Sequence, residues 1–183
     1  SGNVYLSDKY QHRIVKLDSS GNLLAVIGAG VQGSGPGQFS GLGAVAVDNN
    51  DGSIYVTDMM NHRVQKFDSS GNYISEVYAY ANPYDVDVDE SGNVYLLATN
   101  GNGAGTHQVR IYSDFENNVL AAKIGNMQST CSIYHGCTSL QGGDFLQPKS
   151  LAVKNGKLYV GDANGIHVFN VNIPSGPPSG TVT

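Results

Sequence analysis

The chain has no tryptophan, and only 14% of its 183 residues are charged, a low share for a soluble cytosolic protein. Its 10 Lys and Arg residues form no cluster and are outnumbered by 15 acids, giving a net charge of −5. A nucleic-acid binder carries a basic face, so nucleic acid is excluded as a partner. No apolar run approaches about 18 residues, so no membrane span is expected. The 2 cysteines, Cys131 and Cys137, have only His135 nearby, which falls short of a zinc site. There is no Ser-His-Asp motif and no redox CxxC pair. The glycine-rich "GAGVQGSG" at residues 28–35 is followed by no helix, so it reads as a connection and not as a phosphate loop. What is abundant is glycine (24), tyrosine (11) and hydrophobic residues (40%). That profile suits one domain of many short strands joined by tight turns.

The strands repeat. "QHRIVKLDSSGN" at residues 11–22 returns as "NHRVQKFDSSGN" at residues 61–72. Aligning "VYLSD", "IYVTD", "VYLLA" and "LYVGD" makes Tyr5, Tyr55, Tyr95 and Tyr159 equivalent. Each of these β-rich runs is followed by a second, at residues 12–17, 62–67, 107–112 and 166–169. A third follows in three units (22–27, 73–78, 119–124), and a further run precedes units two to four (44–47, 84–88, 150–153). In "DSSGN" the Asp accepts backbone N–H bonds and the Gly takes the left-handed conformation, closing a tight turn between antiparallel neighbours. "DESGN" at residues 89–93 uses the same chemistry. Each unit is thus a four-stranded meander, strands A to D. A period of about 40 residues built of such meanders predicts an all-β fold, a β-propeller.

Residues 35–72, "GPGQFSGLGAVAVDNNDGSIYVTDMMNHRVQKFDSSGN", resemble an NHL repeat, named for the Asn-His-Leu/Arg step written here "NHR". The resemblance is clear in units one and two. It weakens in unit three, where Ala98 and Thr99 replace the usual Asp and "NGNGAGT" is inserted. It weakens again in unit four, where Asn164 and Gly165 stand for "HR". What the resemblance implies is a propeller, commonly six-bladed, used mostly as a binding scaffold and occasionally as an enzyme.

About four blades are expected in residues 1–173. Unit one lacks its inner strand A and unit four its outer strand D. Residues 174–183, rich in Pro, Gly and Ser, read as a linker or tail. Open strand edges are aggregation hazards that proteins cover. The expectation is therefore a part of a larger, six-bladed ring completed by sequence upstream of Ser1. The rival is completion by a neighbouring copy, as a homo-oligomer or filament.

Cys131 and Cys137 flank a polar, Gly-containing loop, which suits a disulfide; two free thiols are the alternative. A loop-stapling bridge points to an extracellular or cell-surface setting. His12, His62 and His107 fall at one equivalent position, which repeats around a propeller axis and need not converge on a metal; the resemblance implies a structural role for them. Asp8 with Arg13 and Asp58 with Arg63 place an acid after strand B and a base at the start of strand C. The ordinary use of that pattern is a hydrogen-bonded ion pair. Asp85, Asp87 and Asp89 alternate along strand A and share one face. Calcium is the weak candidate there and a hydrogen-bonded channel wall the stronger one; EF-hand spacing is absent. No catalytic residue and no cofactor site is assigned. The expected function is a non-enzymatic extracellular scaffold binding protein partners. The alternative is a metal-dependent hydrolase or amidating-lyase-like propeller with a central-channel site.

Overall fold

The computed structural model describes residues 2–99, 107–125, 145, 147–163, 165–171 and 173. Blade one comprises β1 (Val4–Asp8), β2 (Arg13–Leu17) and β3 (Leu23–Ile27). Blade two comprises β4 (Leu42–Val47), β5 (Ile54–Asp58), β6 (Arg63–Phe67) and β7 (Tyr73–Tyr78). Blade three comprises β8 (Asn82–Val88), β9 (Val94–Thr99), β10 (Gln108–Asp114) and β11 (Val119–Ile124), and blade four β12 (Ser150–Lys154), β13 (Lys157–Asp162) and β14 (Gly165–Asn170). Each blade is one antiparallel meander whose strands pair in chain order. Among the described residues the helical content is a single 3-10 turn, Met59–Asn61.

The turn chemistry accounts for the meanders. Asp18 accepts the Ser20 and Asn22 amides through Oδ1 and the Asn22 side chain through Oδ2, each at 2.8 Å. Asp68 does the same for Ser70 and Asn72, and Asp89 for Ser91 and Asn93. Gly21, Gly71 and Gly92 supply the positive φ that closes each turn. At the other end of the blades His12 (φ 48°) and His62 (φ 53°) are left-handed, so β2 and β6 begin one residue later than the pattern predicts. The His62 carbonyl accepts the Ala79 amide, tying the start of β6 to the residue just past β7.

Blades stack face to face, and the core lies between them. Ile14 and Ile27 of blade one meet Ile54, Val56 and Phe67 of blade two. Tyr55, Val64 and Val77 of blade two meet Val94, Leu96 and Tyr112 of blade three. Leu97, Val109 and Ile111 of blade three meet Leu151, Leu158 and Val160 of blade four. Burying each such side chain contributes about 1.5–3 kcal/mol. Side chains alternate along a strand, so each blade has a backward face toward its predecessor and a forward face toward its successor. The inner strands β4, β8 and β12 lie side by side, with β1 against β4. Sequential four-stranded sheets stacked through both faces around their inner strands are the blades of a β-propeller.

The equivalent tyrosines report on this order. Tyr55 and Tyr95 are buried against the next blade, whereas Tyr159, with no blade beyond it among the described residues, is exposed. The backward face of blade one is likewise exposed at Val4, Leu6 and Val26, and the forward face of blade four at Ile166 and Val168.

Candidate functional site

The polar positions singled out in the sequence sit on the backward face of each blade, where strand B ends and strand C begins. Blade two shows the full arrangement. Arg63 Nε donates to Asp58 Oδ2 at 2.9 Å, Nη1 to Glu76 Oε2 at 2.7 Å, and Nη2 to the carbonyls of Gly35 and Gln38. Asp58 also accepts the Ser40 amide and the Asn61 side chain, and Gln65 bonds Gln38 and Gly37. Asp58 and Arg63 are both buried. Charges that leave water need this density of partners. The network clamps the long connection between β3 and β4, which also buries Phe39.

Blade one repeats the pair with Arg13 Nε 3.2 Å from Asp8 Oδ2, both half-exposed because nothing among the described residues covers that face. Blade four repeats it with different chemistry: His167 Nε2 lies 2.9 Å from the buried Asp162, and its ring stacks edge-on to Phe145. The sequence reading missed that pair, because His167 is two residues further along strand C than the position Arg63 occupies. In register His167 opposes Val160 as Gln65 opposes Val56.

Blade three departs. Ala98 stands where Asp58 would, and Gln108 where Arg63 would. Arg110 takes the Gln65 position and lies 4.6 Å from the Tyr80 ring centroid. Burial pushes the Tyr112 phenol up, and Arg110 beside it pulls the other way.

Asp85 and Asp87 do share one face of β8, and each reaches into blade four. Asp85 Oδ2 accepts the Leu151 amide and Asp87 Oδ2 the Val153 amide, both at 2.8 Å. Burial holds the Asp85 carboxyl above its ordinary range despite those bonds. Asp89 instead caps its own turn and accepts from the Tyr95 hydroxyl. The three carboxylates do not converge, and among the described residues no His, Cys, Asp and Glu group is arranged to hold a metal ion. Cys131, Cys137 and His135 lie outside the described residues.

Two further features belong to the surface. At the end of the propeller bearing the B–C turns and the blade connections, Tyr10, Met60, Tyr78 and Tyr80 are exposed, with Tyr78 and Tyr80 edge-on at 5.0 Å. At the opposite end a cleft of about 200 Å³ between blades two and three is lined by Asp48, Asp51, Tyr55, Lys66 and Glu116. Lys66 bridges the blades there, 2.8 Å from Glu116 and over the Tyr55 ring.

A family described as 6-bladed beta-propeller matches residues 1–78, which span blades one and two. Among solved structures, the chain is similar to a protein of Bacteroides fragilis NCTC 9343 described as exported. That match has 16% identity and a TM-score of 0.61, covering 94% of this chain and 46% of that one. It is also similar to virginiamycin B lyase from Staphylococcus aureus, in a catalytically inactive form with quinupristin. There the identity is 9% and the TM-score 0.59, covering 91% of this chain and 46% of that one. At these identities the likeness shows the fold alone, and the chain spans less than half the length of either structure. No curated protein matches it. No helix among the described residues is long and apolar enough to cross a membrane.

Proposed function

We propose that the chain is a non-enzymatic, extracellular NHL-type propeller module that serves as an interaction and assembly scaffold. The observation that carries this reading is where the acid–base residues are spent. Asp58, Arg63 and Gln65 are consumed in holding a connection, and Asp85 and Asp87 in joining two inner strands. Groups committed to backbone amides and carbonyls are poor general acids, bases or metal ligands, because recruiting them breaks the frame. The exposed apolar faces of blades one and four, with the edge of β14 that no described strand pairs, are the surfaces on which further blades or a second copy assemble. The extracellular part rests on the Cys131–Cys137 disulfide expectation and the low charge.

The alternative, a metal-dependent propeller enzyme, draws on Asp85 and Asp87. Thermal unfolding with and without EDTA separates the two. A scaffold keeps its midpoint; a loss on chelation, restored by calcium and abolished in Asp85→Asn, overturns the reading. Mass measurement with and without reductant before alkylation tests the compartment: two freely alkylated thiols in native material remove the disulfide and the argument built on it.

A further inference from the structure

Blade three carries a positive charge at the position where the other blades carry a neutralised pair. Strand register makes the comparison residue by residue. Ala98 opposes Gln108 as Asp58 opposes Arg63, and Arg110 opposes Lys123 as Gln65 opposes Glu76. Two acids and one base in blade two thus become no acid and two bases in blade three. Residues directly opposed on antiparallel strands share a face, and like charges there repel.

Nothing described around these residues cancels the charge. Neither Arg110 nor Lys123 is in an ion pair among the described residues. In blade two the 14-residue connection at 28–41 offers its carbonyls to Arg63; the corresponding link before β8 is residues 79–81 and offers Arg110 the face of Tyr80 instead. Six buried side-chain atoms among the described residues lack a hydrogen-bond partner, and three of them lie at alternate positions of β10: Gln108 Oε1, Arg110 Nε and the Tyr112 hydroxyl, the last beside Arg110. Native proteins rarely leave such groups unpaired without a reason. Arg110 is 92% buried, at 8% exposure, so its unpaired guanidinium edge is held in place and not simply solvated.

We propose that this position is a carboxylate-binding site, at which an acidic residue of a partner polypeptide docks against Arg110 and Lys123. The incoming carboxylate takes the place of the acids that Asp58 and Glu76 supply in blade two. A planar guanidinium fixed by stacking on an aromatic ring is preorganised for such an oxygen pair. A peptide fits better than a bare ion, because exposed Tyr78 and Tyr80 add apolar surface beside the charge. The site stands whether the module is a scaffold or an enzyme, so its failure leaves the proposed function in place.

The experiment is a titration with acetylated, amidated triglutamate. Triglutamine serves as the neutral control and inorganic phosphate as the bare anion, and the Arg110 Nε–Hε resonance and heat are the readouts. Triglutamate is expected to shift that resonance saturably, with affinity falling about tenfold or more in Lys123→Gln. Ala98→Asp supplies the missing acid from within, so it is expected to raise the unfolding midpoint and abolish peptide binding. Because that variant restores the acid of the other three blades, loss of binding with a raised midpoint is not a folding failure. No saturable shift with either probe, or unchanged peptide affinity in Ala98→Asp, overturns the site. Phosphate binding more tightly than triglutamate at the same resonance overturns the peptide as its ligand.

Discussion

Near-identical strands live in different surroundings in the middle and at the ends of this array. In β5, "IYVTD" is buried at all five positions; in β1, "VYLSD" is buried at none. Likewise β6 is buried throughout while β2 buries one residue of five, and β9 is buried throughout while β13 buries two of six. The difference lies in packing, since the local sequence, the strand pairing and the turns are shared. A blade's strands form from local signals, but most of its stability comes from the neighbour on each face. Blades two and three have both neighbours among the described residues, and blades one and four have one each. Paired substitutions at equivalent positions therefore measure what a neighbouring blade is worth.

The largest difference is expected for the ion pairs. Arg63→Ala leaves Asp58 buried without its main partner, which costs about 3–5 kcal/mol. Arg13→Ala breaks a half-exposed pair and is expected to cost about 0–1 kcal/mol. Equilibrium denaturation of the two variants reads both values. Equal losses would mean that the backward face of blade one is covered in solution. Next come the apolar positions. Leu96→Ala opens a cavity between blades two and three and is expected to cost about 2–5 kcal/mol. Leu24→Ala, at an exposed position of β3, should stay within about 0.5 kcal/mol. A large loss at Leu24 would show that another blade or copy sits on that face.

Much of this frame was legible in advance. The fourteen strands found among the described residues, and their grouping into four sheets, followed from Tyr5, Tyr55, Tyr95 and Tyr159 and from the "DSSGN" turns, because hairpin chemistry is local. The strand starts at His12 and His62 were one residue early, since a His before an Arg does not announce a left-handed backbone. The tertiary polar contacts were harder to read. Asp85 and Asp87 were recognised as sharing a face, but their partners are backbone amides 66 residues away. Arg110 was passed over because its significance lies in absences: an Ala at 98, a Lys at 123 and a short connection at 79–81. Those show only when two blades are superposed in register. The signal was present in the alignment that fixed the repeat, two residues beyond the Arg on strand C.

A sharper version of the comparison uses two glycines in identical turns. A Cβ on Gly71 (φ 93°) would lie 2.7 Å from Cγ1 of Ile27 in blade one, whereas on Gly21 (φ 85°) it would meet nothing within 4 Å. Gly21→Ala is expected to carry only the left-handed backbone cost, about 1–2 kcal/mol. Gly71→Ala adds an inter-blade clash of about 1–3 kcal/mol. In a double-mutant cycle, Ile27→Ala, which removes Cγ1, should couple favourably with Gly71→Ala and show no coupling with Gly21→Ala. If both glycine variants lose the same stability, blade one is not seated against the blade-two turn as described.

The smallest effect belongs where the two kinds of blade should not differ. The Asn22 side chain, followed by backbone amides, holds the Asp18 carboxyl below the ordinary value of 3.8, and Asn72 does the same for Asp68. Both turns are solvent-exposed, so neighbouring blades have little to add. A carboxyl whose folded pKa is lowered binds fewer protons folded than unfolded just below 3.8. Its contribution is therefore complete above that value and is lost as pH falls through the lower folded value. Asp85 runs the opposite way: burial raises its pKa, so between 3.8 and that raised value stability grows as pH falls. The expected profile is nearly flat, or slightly rising, as pH falls from 7 toward 4, and then declines. Carboxyl titration by NMR should find Asp18 and Asp68 indistinguishable, in contrast to every other pair compared between these blades. A clear separation of the two values would show that the turns themselves, and not only the faces between blades, feel the position of a blade in the array.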